Sequence, residues 1–526
     1  MSYCFNPNNE LFATTLNSII YIDKSMQLAF LNSVIQTQQK YICVCRPRRF
    51  GKSITASMLA AYYSIGCDSS GMFNGLKISE DPEYAKHLNQ YNLIYLNMQD
   101  FLSETNNVDG MIDLVTNDIC SEIEEHYPQY TEQRLIKLFR EIHKSSGKPF
   151  VFIIDEWDCV FRVLQSDKTG QKKYLDFLRL ILKDKEYVAL AYITGILPIR
   201  KFGIHSELNM FNEFTMTGPR QMAPYVGFTQ EEVEVLCKNN NMVYEEMSAW
   251  YDGYHYTDSA SVYNPNSVVM AILSSCYNNY WNMSESYEAL KVYIEMNFYG
   301  LKDSIIQLLA GDKVKISVTG YSNDMVTFSS SDDIMTLLIH LGYLGYDTNT
   351  SEVFIPNKEI TDEFITAVRG AGWNEVYDAL KISNELLQAT WSGDAKVVAG
   401  LFDSAHMDTS IFSYNSENAL SYVVSLAYYS AREFYTVTRE MPAGYGYADL
   451  VFLPRGNHID KPAMIIELKW GQSATGSINQ IIGKKYVRAL SGYKGNLLLV
   501  GINYSKKTKC HECVIKTVSC DHGLRA

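Results

Sequence analysis

Residues 41–63 read YICVCRPRRFGKSITASMLAAYY, and this stretch decides the fold of the N-terminal part of the chain. An apolar segment, Tyr41–Cys45, precedes the basic loop Arg46–Ser53, and an apolar helical pattern follows the loop. A strand, a loop and a helix in this order are typical of a phosphate-binding loop, whose backbone N–H groups surround phosphates at the helix N-terminus. The pattern predicts that Lys52 contacts the β- and γ-phosphates and that the Ser53 hydroxyl binds Mg²⁺.

One residue of this loop departs from the common phosphate-loop pattern. Arg46 stands where that pattern has its first glycine. The alternative interpretation of the stretch is an ordinary basic turn that precedes a helix. The residues predicted to bind the nucleotide are Arg48, Arg49, Phe50, Gly51, Lys52, Ser53, Ile54, Asp155 and Thr194.

A pair of acids forms the partner motif of this loop. Val151–Ile154 is an apolar strand-like run, and Asp155 and Glu156 follow it directly. Two adjacent acids at the end of a buried strand are difficult to explain by packing, because buried acids are rare unless they are paired. ATP hydrolysis gives each a role: Asp155 holds the Mg²⁺ shell, and Glu156 orients or deprotonates the attacking water.

A third strand-like run, Tyr187–Thr194, ends in the polar residue Thr194. Its hydroxyl is a candidate sensor of the γ-phosphate, and Arg200 and Lys201 follow closely enough to reach phosphate. A structural strand end and a solvated basic pair explain the same residues equally well.

The distribution of apolar residues divides the chain into three predicted domains. Strand-like runs alternate with helical patterns over residues 1–215, which predicts an α/β ATPase domain with a parallel sheet. Residues 216–373 are predicted to be mostly helical, with a winged-helix-like unit made of the helix Asp332–Leu341 and a short hairpin. Residues 374–526 are predicted to form an α/β domain. The strand candidates of the first domain are Tyr41–Cys45, Leu93–Asn97, Phe150–Ile154 and Tyr187–Thr194.

A second group of charged residues lies on two strand-like runs near the C-terminus. Asp449 lies within the first run, and Glu467 and Lys469 lie on one face of the second, because side chains alternate along a strand. Phosphodiester hydrolysis accounts for these charges on apolar strands. Asp449 and Glu467 would bind a divalent cation, and the cation and Lys469 would activate water and neutralise charge on the pentavalent phosphate. The alternative is a buried ion pair in an α/β domain.

Over nearly its whole length the chain resembles the AAA-ATPase-like family, bacterial and archaeal proteins that join an AAA-type ATPase to a C-terminal nuclease-like domain. Asp449, Glu467 and Lys469, in a helix–three strands–helix–strand order, resemble the PD-(D/E)XK nuclease core. The basic loop is usual in the family, and the resemblance implies that Asp23 and Lys24 lie near the nucleotide. The motifs that carry it are Tyr21–Ser25, Arg46–Ser53, Ile154–Asp158, Ile193–Ile199, Trp250–Tyr254 and Tyr263–Pro265.

The resemblance also assigns roles to two helices that flank the charged strands. The predicted helix Ser416–Ala431 carries Glu417, which matches an acid that family members often add to the metal site. The helix after Lys469 carries residues that could touch metal-bound water or the phosphate backbone, although structural roles remain an alternative. These residues are Gln480, Lys484, Lys485 and Tyr486, and further cations that could contact phosphates are Arg488, Lys506, Lys507 and Lys509.

Six residues near the C-terminus have spacings that resemble a zinc site: Cys510, His511, Glu512, Cys513, Cys520 and His522. We expect no metal there, because Cys513–Ile515 has the pattern of the last strand and the two halves lie too close together for a usual zinc knuckle.

The charge is distributed unevenly along the chain. The net charge is −13 for 526 residues, yet Asp449–Ala526 contains 12 Lys+Arg against 5 Asp+Glu. This asymmetry favours contact between the C-terminal part and a polyanion, although a chance excess on a solvated face is the alternative.

Composition places the chain among globular proteins, with 47% hydrophobic and 20% charged residues. An odd number of scattered cysteines, 11, favours reduced thiols in a cytoplasm. The first ten residues lack the features of a signal peptide, and no uncharged stretch is both long and apolar enough to span a membrane. We therefore expect a cytoplasmic protein.

The leading hypothesis is an ATPase, using ATP and Mg²⁺, coupled to a metal-dependent nuclease that acts on DNA. One alternative is an ATP-switched nucleic-acid-binding or regulatory protein with a non-cleaving nuclease fold, and another is an ATPase directed at proteins. We also expect ATP-dependent homo-oligomers, with Arg162, Arg200 and Arg220 as candidates for the residue that a neighbour supplies.

Overall fold

In the computed structural model the chain forms two compact units. The first, here called the N-terminal unit, contains Met1–Tyr293 and Lys313–Glu363, and the C-terminal unit contains Ile294–Asp312 and Phe364–Ala526. The domain boundaries predicted near residues 215 and 373 remain predictions. The structure describes residues 3–199, 208–256, 259–281, 287–296, 298, 300–323, 325–407, 417–443, 446–484, 486, 493, 495–505 and 507–519.

A parallel five-stranded sheet forms the centre of the N-terminal unit, with strand order β2-β3-β4-β1-β5. Helices cover a parallel sheet, so its strands are contiguous apolar runs, and the four predicted strands are confirmed within one residue at each end. The short fifth strand, beside β1, was not predicted. The strands are β1 Tyr41–Cys45, β2 Asn92–Asn97, β3 Phe150–Asp155, β4 Val188–Gly195 and β5 Asn212–Phe214.

Helices connect these strands, and several begin at side chains that cap them. Asn107 and Asp167 each accept a hydrogen bond from a backbone N–H in the first turn of the helix that follows. The helices are α1 Glu10–Leu16, α2 Gln27–Val34, α3 Lys52–Tyr63, α4 Ser70–Phe73, α5 Tyr84–His87, α6 Met98–Thr105, α7 Val108–His126, α8 Leu135–Ser146, α9 Cys159–Val163 and α10 Lys168–Leu182.

The middle of the chain contains a small antiparallel sheet in addition to the predicted helices. Its three strands have the order β6-β8-β7. Gly253 has a φ of +121°, and a Cβ there would lie 2.2 Å from the carbonyl oxygen of Pro356, so this turn requires glycine. The elements are β6 Phe228–Thr229, α11 Gln230–Asn239, α12 Tyr244–Tyr251, β7 Tyr254–Tyr256, β8 Ser259–Tyr263, α13 Pro265–Ser274, α14 Tyr287–Glu295 and α15 Leu301–Leu309.

The predicted helix and hairpin of the winged-helix-like unit are present. A three-stranded sheet of order β10-β11-β9 accompanies the helix, and Ser330 and Asp333 form a capping box at the helix start. The elements are β9 Val314–Lys315, α16 Ser331–Leu341, β10 Gly345–Asp347, β11 Glu352–Phe354 and α17 Lys358–Gly370.

His340, in the last turn of α16, makes stability depend on pH. Burial lowers the pKa of its imidazole to about 3. Below pH 6.5 the unfolded chain therefore binds a proton that the fold excludes, and the free energy of unfolding falls by about 1.4 kcal/mol per pH unit toward pH 3. We expect His340→Phe to lose less stability than the wild type between pH 7.5 and pH 5, measured by urea unfolding. Equal losses in the two proteins would contradict this.

The C-terminal unit is built on a mixed five-stranded sheet whose strands lie in sequence order, from β12 to β16. Strands β14 and β15 are parallel, since a helix connects them, and the other neighbours are antiparallel. The elements are α18 Asn374–Lys381, α19 Ser383–Trp391, α20 Ala395–Met407, α21 Glu417–Ala427, β12 Tyr435–Ala443, β13 Gly446–Pro454, β14 Ala463–Trp470, α22 Ala474–Gly483, β15 Asn496–Ser505 and β16 Cys510–Ser519.

Each face of this sheet has its own apolar core. Phe452 and Ile466 pack with residues of α19, α20 and α21 on one face, and Val451 and Ile465 pack with α22 on the other. The predicted helix Ser416–Ala431 ends earlier, at Ala427, and a 3₁₀ turn follows it. Among the described residues, no helix combines the length and the apolar character that crossing a membrane requires.

Candidate functional site

The phosphate loop has the predicted strand–loop–helix geometry, with β1 ending at Cys45 and α3 beginning at Lys52. Gly51 has a φ of +88°, a conformation that favours glycine. The Lys52 ammonium donates to the carbonyl oxygens of Arg46 and Pro47, at 3.0 and 2.9 Å. Burial lowers the pKa of Lys52, and the neighbouring carboxylates oppose this shift. These two hydrogen bonds hold the Lys52 ammonium over the loop, and hydrogen bonds to a phosphate could replace them.

Arg46 has a structural role that explains its presence in place of glycine. Its guanidinium is buried and donates from Nη1 to the carbonyl oxygens of Cys45 and Phe214, at 2.9 and 3.0 Å. These bonds connect the end of β1 with β5. The arginine therefore stabilises the sheet edge beside the loop.

The two residues predicted to hold Mg²⁺ lie close together. The Ser53 side chain is near enough to the Asp155 carboxylate, at the end of β3, to act on its pKa. Asp155 is 1% exposed, and burial raises its pKa, while Ser53 and the Lys52 charge lower it. Asp155 Oδ1 also accepts the backbone N–H of Glu156, at 2.9 Å. A hydroxyl and a carboxylate that lie close together are a suitable ligand pair for a hard cation.

Thr194 lies where the sequence predicts, opposite Asp155 in the register of β3 and β4. Its hydroxyl is buried and donates to the carbonyl oxygen of Val44 on β1, at 3.0 Å. In this arrangement the hydroxyl bonds between strands, so its γ-phosphate contact remains a prediction. Arg200 and Lys201 lie outside the described residues.

A cavity of about 770 Å³ opens beside the phosphate loop. Lys24 lines it, and the Lys24 ammonium also donates to Glu232 and to the carbonyl oxygen of Pro224. Asp23, by contrast, accepts backbone N–H groups from Ser25 and Lys77. The polar wall includes Arg48, Arg49, Gly51, Lys52, Ser53 and Glu156, and the apolar wall includes Phe50, Ile54, Ile20, Ile22, Met58, Val269 and Leu273. The cavity has the size of small-molecule sites.

Asp449, Glu467 and Lys469 also come together, on β13 and β14 of the C-terminal unit. The pairing of these antiparallel strands ends at Leu450 and Ile466. Asp449 precedes Leu450 and Glu467 follows Ile466, so both acids lie at the same end of the pairing. Asp449 Oδ2 accepts the backbone N–H of Leu468, at 2.6 Å, and Lys469 Nζ lies 3.3 Å from Glu467 Oε1.

The Glu467 carboxylate has the properties of a cation ligand. It is 1% exposed, and its Oε1 accepts hydrogen bonds from Lys469 and from the Gln480 amide. Its Oε2 has no hydrogen-bond partner among the described residues. Burial, followed by the charge of Asp449, raises the pKa of Glu467 to about 7, and Lys469 opposes the shift. A buried, unpartnered carboxylate oxygen is unfavourable unless a cation compensates it, so the residues present fit a divalent metal.

The other predicted members of this site are only partly described. Glu417 begins α21, but its side chain lies outside the described part of the chain, as do Lys485, Arg488 and Lys506. Lys484 is exposed and its charge acts on Glu467, while the buried Tyr486 accepts a hydrogen bond from Gln480, at 3.4 Å. No group of three or more His, Cys, Asp or Glu side chains suited to a metal occurs within the described ranges.

Two of the cysteines with zinc-like spacing, Cys510 and Cys513, lie on the last strand, β16. His511 Nδ1 lies 2.9 Å from Asp403 Oδ1, and the backbone N–H of His511 donates to the same oxygen. Cys510 and Cys513 have free thiols, and Cys520 and His522 lie outside the described residues.

The sequence predicts no role within this site for two charged residues that lie beside Glu156. Asp158 is fully buried, and its Oδ2 accepts the backbone N–H groups of Ile196 and Leu197, at 3.0 and 2.8 Å. Arg162, suggested above as a residue for a neighbouring subunit, is paired with Glu156 and Asp158 of its own site. The sequence does contain a pattern that could have indicated this pairing. Glu156 and Asp158 lie in the motif Ile154–Asp158, and Arg162 follows one helical turn after Asp158.

Two family models match the parts of the chain that carry these residues. Residues 12–205 match the family model described as Predicted AAA-ATPase, and residues 417–513 match that of the PD-(D/E)XK nuclease superfamily. The chain thus carries an AAA-ATPase-like domain followed by a PD-(D/E)XK nuclease superfamily domain. The family resemblance and the α/β fold class stated from the sequence are confirmed.

A curated relative is an uncharacterised protein in the vnfD 5′ region of Azotobacter chroococcum mcd 1. It is 23% identical over 275 residues, which cover 50% of this chain and 50% of that protein. The chain therefore spans about half the length of the curated relative that it matches.

Two solved structures are similar at low identity. The ORC2 protein of Aeropyrum pernix, in ADPNP-ADP complexes, has 12% identity and a TM-score of 0.31, covering 71% of this chain and 99% of its own. Cdc6p of Pyrobaculum aerophilum has 10% identity and a TM-score of 0.26, with 70% and 99% covered.

Proposed function

We propose that the chain binds and hydrolyses ATP in its N-terminal unit and cleaves DNA in a metal-dependent reaction in its C-terminal unit. The position of Ser53 close to the buried Asp155 carboxylate, beside Lys52, supports the first part. The buried Glu467 Oε2, which has no hydrogen-bond partner in the described part of the chain, supports the second. The excess of Lys and Arg after Asp449 supports a nucleic acid as the substrate.

In the proposed ATPase, Lys52 would exchange its bonds to loop carbonyls for bonds to the β- and γ-phosphates. Ser53 and Asp155 would hold Mg²⁺, which when bound neutralises phosphate charge. Water would attack the γ-phosphorus as its bond to the β,γ-bridging oxygen breaks, and Glu156 would take the water proton, giving ADP and phosphate. The apolar wall of the cavity suits a nucleobase.

In the proposed nuclease, Asp449 and Glu467 would hold a divalent cation. When bound, such a cation stabilises the negative charge of the transition state and lowers the pKa of a bound water. Lys469 would donate a hydrogen bond to the scissile phosphate of the DNA. Gln480 would orient the Glu467 carboxylate through Oε1. The Leu468 N–H would orient Asp449 through Oδ2. Because these bonds engage Glu467 Oε1 and Asp449 Oδ2, Glu467 would bind the cation through Oε2.

Cleavage assays test the nuclease proposal directly. Duplex DNA, single-stranded DNA and RNA of one sequence are incubated with the protein in Mg²⁺, in Mn²⁺ or in chelator, with and without ATP. We expect cleavage of DNA with either metal and none in chelator. Nucleic-acid binding without cleavage in every condition would instead indicate an ATP-switched binding protein with a non-cleaving nuclease fold.

A further inference from the structure

The predicted general base Glu156 is held by a buried arginine. Arg162 Nη2 donates to Glu156 Oε2, and Arg162 Nε lies 3.3 Å from Asp158 Oδ2. The Arg162 side chain is 8% exposed, against 22% for Glu156. Burial alone would lower the pKa of this guanidinium, but the charges of Asp158 and Glu156 outweigh it and raise the pKa. The arginine therefore stays charged between two carboxylates.

Asp158 anchors this arginine to the backbone that follows β4. The same carboxylate oxygen that faces Arg162 accepts the N–H groups of Ile196 and Leu197. The approach is close at Gly195, where an added Cβ would lie 2.6 Å from Asp158 Oδ1. Asp158 follows β3 and is bonded to the backbone that follows β4. Its carboxylate is therefore fixed in position, and it fixes the Arg162 guanidinium in turn.

The backbone at Glu156 is itself in an unusual conformation. Its φ is +51°, a strained region that non-glycine residues keep only where the surrounding structure enforces it. Glu156 lines the cavity beside the phosphate loop. Only its Oε2 is bonded to Arg162. The geometry is thus that of a general base oriented by a neighbouring side chain, here Arg162. The base lines the cavity in which the substrate would bind.

We propose that Arg162 is a positioning residue for ATP hydrolysis, which fixes Glu156 so that its carboxylate meets the attacking water. The inference rests on the proposed ATPase function. Arg162 acts through Glu156 and does not touch the nucleotide. Its loss affects the chemical step and leaves ATP binding intact, since Lys52 and the loop make the phosphate contacts.

Steady-state ATP hydrolysis by Arg162→Gln and Arg162→Lys tests this role. We expect Arg162→Gln to lower kcat by about 10- to 100-fold, the effect of misplacing a reacting group by about 1 Å, with KM for ATP changed less than about twofold. Arg162→Lys keeps a charge beside Asp158 and is expected to recover part of kcat. Arg179→Gln, on the surface of α10, is the matched control and should leave both constants unchanged.

A double-mutant cycle with Glu156→Gln separates positioning from a merely structural role. If Arg162 acts through Glu156, adding Arg162→Gln to Glu156→Gln causes no further loss of kcat. An equal loss in both backgrounds would overturn the inference, as would an unchanged or increased kcat for Arg162→Gln. If Arg162→Gln does not fold, Arg162→Lys in the same two backgrounds decides. A wild type that hydrolyses no ATP would refute the proposed ATPase itself.

Discussion

Replacing Lys52 by alanine is expected to weaken ATP binding about 100-fold or more. The ammonium is the side-chain cation at the centre of the phosphate loop, and each charge-assisted hydrogen bond to phosphate contributes about 1.5–3 kcal/mol. Two lost bonds therefore correspond to about two orders of magnitude or more in Kd. Titration of labelled ATP, followed by hydrolysis assays on the same protein, measures the effect.

The control for this substitution is Lys172→Ala, which removes an exposed lysine from α10. It should bind ATP like the wild type. The melting temperature of Lys52→Ala without nucleotide shows whether the fold survives, because the change removes the Lys52 charge that acts on the buried Asp155 carboxylate. Undiminished ATP binding by a folded Lys52→Ala protein would remove the phosphate-loop assignment.

Glu467→Gln is expected to abolish divalent-metal binding and to lower DNA cleavage by about 1000-fold, since metal ligation and transition-state charge are lost together. The amide keeps the shape of the side chain and can still accept the hydrogen bonds of Lys469 and Gln480. Because burial disfavours the carboxylate without metal, the metal-free variant should be at least as stable as the wild type. Mn²⁺ titration by calorimetry and a cleavage assay measure the two losses.

Three further variants make this test specific. Asp449→Asn should lose metal and cleavage in the same way, whereas Lys469→Ala should keep metal but lose rate. Glu433→Gln removes an exposed acid from the same unit and should change neither. ATP hydrolysis should persist in all four proteins. Cleavage by Glu467→Gln at the wild-type rate would contradict the nuclease assignment.

The family comparisons and the fold confirm much of what the sequence predicts about the architecture. Contiguous apolar runs define β1, β2, β3 and β4, because a strand covered on both faces needs little polar alternation. The strand β5 reads Asn-Glu-Phe and has no such run, so only its pairing with β1 reveals it. The small sheet of β6, β7 and β8 escaped prediction for the same reason.

Local sequence patterns also do not show to which of the two units a segment belongs. Ile294–Asp312 belongs to the C-terminal unit although Lys313–Glu363 returns to the N-terminal one. Helical periodicity shows that a segment has an apolar face, but it does not show which core that face contacts. Only the folded chain assigns the helix α15 to its unit.

By itself the sequence determined the two domain classes and the residue types at each predicted site, because strand, loop and helix patterns and strand alternation are local properties. The tertiary structure alone decided which of these side chains meet. It placed Ser53 close to Asp155, left Glu467 Oε2 buried without a described partner, and set Arg162 between Glu156 and Asp158. The last arrangement depends on N–H groups that follow β4, some 40 residues away along the chain. Such contacts arise from the neighbouring positions of β3 and β4 in the sheet, and no local sequence pattern encodes that order.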